Sequence, residues 1–189
     1  MLCVIININI RYDDGHAIVG TVDGSRCWGN DIKEKIYKIE WSPDSNVILF
    51  APLNSNIIVF HSSGYQIGEI EISKELKNVK LAALTWWNNV FSEGMFSTNL
   101  KHLCLAWVNG WVHLYDDHQD QNPIKLKSEF IEIINVEWNP QGDVLAVGGT
   151  YLDQGENKYS VNFYNCNLGL IKILKVIKLN NIILGSKSY

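Results

Sequence analysis

Trp41-Ser42-Pro43-Asp44-Ser45, followed by the apolar run Val47-Ile48-Leu49-Phe50, and Trp138-Asn139-Pro140-Gln141-Gly142, followed by Val144-Leu145-Ala146-Val147, are two copies of one pattern. Between them Trp87-Asn88-Asn89 repeats the opening in degraded form, and the three tryptophans stand 46 and 51 residues apart. A period of about 40–50 residues that holds only strand patterns indicates the blades of a β-propeller. Each repeat divides into four short strands. The first complete unit gives Tyr37–Trp41, Val47–Ala51, Asn56–Phe60 and Gln66–Ile72. The second gives Leu81–Trp87, His102–Val108, Trp111–Tyr115 and Ile124–Lys127, and the third Ile133–Trp138, Val144–Gly148, Ser160–Tyr164 and Ile171–Val176. Upstream, Ile6–Tyr12, His16–Thr21 and Arg26–Trp28 form a unit without its first strand. Turn chemistry separates the strands: Asn109-Gly110 is a tight hairpin signal, and Asp14-Gly15, Asp23-Gly24, Ser63-Gly64 and Leu168-Gly169 supply further glycine turns. No stretch keeps a 3.6-residue apolar period between caps, so no helix is expected.

The third strands carry a finer signature. Val112-His113-Leu114-Tyr115-Asp116 has the form of the V-x-[IL]-W-D ending of a WD40 blade, with tyrosine in place of tryptophan. Val161-Asn162-Phe163-Tyr164-Asn165 and Ile57-Ile58-Val59-Phe60-His61 are looser copies. Positions one and three of that pattern face the neighbouring blade, so Val112 and Leu114 are expected in the core and His113 at an exposed or groove position. Trp41, Trp87, Tyr115, Trp138 and Tyr164 are the expected structural markers of the blades. The resulting all-β organisation is a partial blade over 1–35, blades over 36–76, 77–127 and 128–178, and a tail over 179–189. Closed rings hold about 4–8 blades, and seven units of this length need roughly 300 residues. The expectation is therefore an incomplete ring, part of a larger propeller.

Composition narrows the function classes. Sixteen basic against 20 acidic side chains give a net charge of −4, the wrong sign for a nucleic-acid surface or an anionic membrane face. Apolar residues make up 47% of the chain, and seven tryptophans with eight tyrosines suit aromatic packing between sheets. No run approaches the roughly 18 apolar residues of a transmembrane helix. The N-terminus, MLCVIININI, has no basic region ahead of its apolar residues, unlike a signal peptide. Cys3, Cys27, Cys104 and Cys166 are too scattered for a metal knuckle and read as small buried residues of a reducing compartment.

The motifs of catalysis are missing too: GxSxG, GxxxxGK[ST], HExxH and the sialidase-type Asp-box turn do not occur. Glu69 with Glu71 reads as a solvated strand face, and Asp116-Asp117-His118 as a blade-end turn. No cofactor, metal or catalytic site is expected, so the chain is not expected to be an enzyme. Two longer segments remain as candidate partner-contact loops. Asn88–Lys101 lengthens the first loop of its blade and offers Met95 and Phe96; Thr150–Tyr159, on the opposite rim, offers Tyr151, Asp153 and Glu156.

Four blocks together resemble one family. YDDGHAIVGTVDGSRCWGNDI (Tyr12–Ile32), WSPDSNVILF (Trp41–Phe50), DQNPIKL (Asp120–Leu126) and WNPQGDVLAVGG (Trp138–Gly149) are similar, in order and spacing, to the first propeller of the WD repeat-containing protein 35 family. The tryptophan blocks are common to WD40 proteins; the first block is far more specific. The resemblance spans residues 11–178. It implies a non-catalytic scaffold in an intraflagellar transport complex A subunit, acting in retrograde ciliary transport and cilium assembly. It also implies other complex A subunits as partners, ciliary membrane-protein cargo as an indirect one, and a location in cytoplasm and cilium, at axoneme and basal body. The alternative reading is a small standalone WD40 module that binds peptides or proteins through the rim of a four-bladed ring. That reading requires the first and last units to meet.

Overall fold

The computed structural model describes residues 8–11, 15–21, 23–87, 102–166 and 172–179, which form strands and turns without a helix. The first sheet holds β1 (Ile8–Arg11), β2 (His16–Gly20) and β3 (Arg26–Asp31). The second holds β4 (Ile36–Trp41), β5 (Val47–Pro52), β6 (Ile57–His61) and β7 (Gln66–Ile70). The third holds β8 (Leu81–Trp86), β9 (Leu103–Trp107), β10 (Trp111–Tyr115) and β11 (Ile124–Lys127). The fourth holds β12 (Glu132–Trp138), β13 (Val144–Asp153), β14 (Glu156–Asn165) and β15 (Lys172–Leu179). Every sheet is an antiparallel meander in chain order, the blade of a WD40 β-propeller.

The second strand of a blade explains how the sheets stack. All six residues of β5 are buried, because both faces of the sheet are covered. Ile48 and Phe50 pack toward the first sheet with Ala17 and Val19, whereas Val47, Leu49 and Ala51 pack toward the third with Leu103 and Leu105. β9 repeats the arrangement, sending Cys104 and Ala106 to the fourth sheet against Leu145 and Val147. A strand buried on both faces reads as a continuous apolar run, whereas the outer strand β7 is exposed at Gln66–Glu69. Each of the three core clusters joins two consecutive sheets; among the described residues none joins the first sheet to the fourth.

Two repeated details set the register. The pairing of first with second strand slips between Ile36 and Lys38, between Leu81 and Ala83, and between Ile133 and Asn135. This β-bulge turns Ile134 outward, where it is 51% exposed although its neighbour Ile133 is core. Past the bulge, Trp41 pairs with Ile48, Trp86 with Leu103 and Trp138 with Leu145. The residue that corresponds to Trp41 and Trp138 is thus Trp86. Trp87 takes the place of Ser42 and Asn139, each of which closes the turn through a backbone N–H donated to the carbonyl of Val47, His102 or Val144.

Local side-chain bonds account for the Trp-x-Pro turns. Val47 N–H donates to Ser42 Oγ (2.9 Å), and the hydroxyl donates to Asp44, which also accepts from Asn46 N–H (3.1 Å). In the fourth sheet Asn139 does the work of Ser42, accepting from Val144 N–H at 2.9 Å and donating to Asp143 at 2.7 Å.

Candidate functional site

The segment Thr150–Tyr159 is not a loop. β13 and β14 continue through it in unbroken pairing from Val144↔Asn165 to Asp153↔Glu156, a hairpin of ten residues a side. Gln154 and Gly155 at its tip both have positive φ, 51° and 84°, the two-residue turn whose twist matches the strands it joins. Polar side chains hid this from the sequence pattern, since an extension that stands clear of the core has no need of apolar alternation.

The three candidates on this hairpin have different surroundings. Tyr151 is half-buried and packs back on the core between the third and fourth sheets. Glu156 is exposed and paired with Lys158, which holds its carboxyl below the usual range. Asp153 is half-buried beside the tip. Leu152, which the sequence pattern did not single out, is 60% exposed next to it. Met95 and Phe96 lie outside the described residues.

The blade markers divide into locks and spacers. Tyr164 and Tyr115 are buried, and burial raises both phenols above their ordinary range. Trp87 reaches into the fourth sheet: its ring lies over Gly142, its Nε1 donates to Pro140 O (3.1 Å), and it stacks on His102 at 5.3 Å. Trp28 does the same between the first and second sheets, lying over Gly64 and donating to Ser62 O at 2.8 Å. Cys104 and Cys166 are buried and their thiols are pushed up by that burial, while Cys27 is exposed. Among the described residues no group of three or more His, Cys, Asp or Glu is arranged to hold a metal ion.

Of the two positions expected for His113, exposed or in a groove, it takes the groove and is buried there. It lies in the groove between the second and third sheets and is only 4% exposed, with Trp107 edge-on at 4.6 Å. Burial first, then the Lys125 charge, lowers its pKa to about 4, against a smaller opposing effect of Glu75. The unfolded chain therefore binds the proton more readily than the folded one. Stability from this group is complete above the ordinary histidine value of 6.5 and is lost as pH falls toward about 4. After discounting for the water the groove admits, the loss is on the order of 2 kcal/mol. Urea titrations at pH 7 and pH 4 should show it, and His113→Phe should shrink the difference by that amount. An unchanged pH dependence in the variant would refute the assignment.

Comparison with known proteins agrees with this geometry. Residues 6–184 match the family model described as WDR35/TULP4 N-terminal, a β-propeller. WD repeat-containing protein 35 of Rattus norvegicus is 31% identical over 176 residues, 88% of this chain. The Homo sapiens protein of that name is 33% identical over 147 residues, 75% of the chain. Tubby-related protein 4 of Homo sapiens is 25% identical over 166 residues, 74% of the chain. The chain spans about 15% of the length of the rat relative, and 12% and 10% of the two human ones. A chain of a solved structure, "Crystal Structure of Mitotic Checkpoint Complex", superposes with a TM-score of 0.65 at 16% identity, covering 90% of this chain and 47% of that one, a likeness of fold alone. Register, blade markers and relatives converge, and the chain belongs to the WDR35/TULP4 N-terminal β-propeller family.

Proposed function

We propose that the chain is a non-catalytic protein-interaction scaffold that works within intraflagellar transport, as part of a complex A subunit in retrograde ciliary transport and cilium assembly. The observation that carries this reading is the similarity to WD repeat-containing protein 35 over 88% of the chain, at 31% identity. The architecture is suited to it. Stacked sheets fix a rigid surface, while hairpins such as β13–β14 project from the rim without disturbing the core. Other complex A subunits are the proposed partners, with ciliary membrane-protein cargo bound through them, and the proposed location is cytoplasm and cilium. Depletion in a ciliated cell tests the reading. Return transport should slow and transported material should accumulate at ciliary tips; cilia of normal length with normal return velocities would overturn the proposal.

A further inference from the structure

Between the outer halves of the second and third sheets lies a cleft of about 640 Å³. His113 and Tyr115 of β10 both face it, because the alternate residues Val112 and Leu114 turn to the fourth sheet. They are 4% and 2% exposed, with ring centroids 6.3 Å apart. Neither the imidazole nor the phenol oxygen has a hydrogen-bond partner among the described residues; their neighbours are the rings of Trp107, Trp111 and each other. Nor are these atoms sealed off, as the unpaired Nε1 atoms of Trp86 and Trp138 are. Buried polar groups that keep an opening and lack a protein partner are groups that a ligand can satisfy.

The charges around this pair set the sign of that ligand. Lys125 lies directly across the β10–β11 ladder from His113, so its side chain stands on the same face, exposed and without a partner among the described residues. Its charge acts on His113 more strongly than the opposing charge of Glu75. The Asp120 carboxylate already accepts from the backbone N–H groups of Asp116 (2.9 Å) and Asn122 (2.8 Å). Glu69 and Glu71 alternate with Ile70 and Ile72, which pack toward the third sheet, so their carboxylates turn to the other face of β7. An ammonium, a phenol O–H and an imidazole N–H are thus the donors that converge on the cleft. A carboxylate, which only accepts, matches that set, whereas a cationic side chain would meet Lys125.

The opposite wall indicates a peptide as the carrier of that carboxylate. Consecutive residues 67–73 border the cleft, so it follows the outer edge of β7 rather than one face of the sheet. β7 is the last strand of its sheet, and the N–H and C=O groups of its outer edge are unpaired among the described residues. At Gly68 an added Cβ would meet nothing within 4 Å, which leaves room for a second chain. We infer that this cleft binds an extended acidic segment of a partner protein, which pairs with the edge of β7 and places a glutamate carboxylate against Lys125, His113 and Tyr115. The inference rests on the scaffold reading and gives it a ligand chemistry.

Fluorescence anisotropy on the full chain tests it, with the labelled peptide Ac-Thr-Val-Glu-Val-Thr-amide and its glutamine and lysine counterparts. The glutamate peptide should bind about tenfold more tightly than the glutamine one, and the lysine peptide least of all. Lys125→Glu should abolish that preference and Lys125→Arg should keep it, both at an exposed position that leaves the core intact. Tyr115→Phe should weaken binding about threefold without lowering the urea midpoint, because the lost hydroxyl has no partner within the chain. Gly68→Ile should block the cleft while near-ultraviolet circular dichroism stays that of the folded chain. Equal affinity for the glutamate and glutamine peptides, a preference that survives Lys125→Glu, or undiminished binding by Gly68→Ile would overturn the inference. So would glutarate that competes as well as the unlabelled peptide, since the site would then be one for small acids. Failure of the peptide beside a positive depletion result removes the cleft alone; peptide binding beside normal return transport removes the ciliary role alone.

Discussion

Phe50→Ala is expected to lower the unfolding free energy by about 4 kcal/mol. Phe50 has no exposed surface and lies where the first and second sheets meet, edge-on to Phe60 at 5.4 Å and to Trp28 at 6.3 Å. Trp28 and Phe60 stack on each other at 5.8 Å, so the three rings support one another. Strands above and below fix their spacing, so the backbone cannot close the space left by the ring, and the cost of the cavity adds to that of transfer. Phe50→Leu keeps most of the volume and should cost only about 1–1.5 kcal/mol. Ile67→Ala, at a position 45% exposed on the outer strand, should stay within about 0.5 kcal/mol. Urea midpoints with unchanged slopes would measure all three. A Phe50→Ala loss below about 1.5 kcal/mol would mean that the first and second sheets do not pack through these rings.

Gly142→Ala should be nearly as damaging, about 3 kcal/mol, for two separable reasons. Gly142 has φ of +75°, where an added Cβ costs about 1–2 kcal/mol. That Cβ would also overlap the Trp87 ring, which would have to leave both the turn and the Pro140 carbonyl. The second part disappears when the ring is absent. In a Trp87→Ala background the same change should cost only about 1 kcal/mol, leaving a coupling of about 2 kcal/mol between the positions. Additive losses would show that Trp87 does not lock the third sheet to the fourth.

The propeller was legible because its signals are local and repeated: Trp-x-Pro turns followed by apolar runs, and strand endings such as Val112–Tyr115. β10 and β11 lie where the pattern puts them. What the pattern missed depends on neighbours it cannot see. Two adjacent tryptophans fit the degraded middle repeat, and only the strand pairing, Trp86 opposite Leu103 as Trp41 is opposite Ile48, shows that Trp86 rather than Trp87 corresponds to Trp41. The pattern left His113 either exposed or in a groove, and only the neighbouring sheet that covers its face decides for the groove. Asn162 is fully buried for the same reason, and there it donates to Glu129 (3.1 Å). The β13–β14 hairpin escaped because its polar composition resembles a loop, and pairing along the chain, not burial, keeps it extended.

The most direct test of the central claim is purification of the endogenous protein from ciliated cells through a small tag, followed by identification of what co-elutes at stoichiometric amounts. The account predicts intraflagellar transport complex A subunits in one large assembly, lost when the surface of the β13–β14 hairpin is altered. A protein recovered alone, or with partners unrelated to ciliary transport, would contradict it.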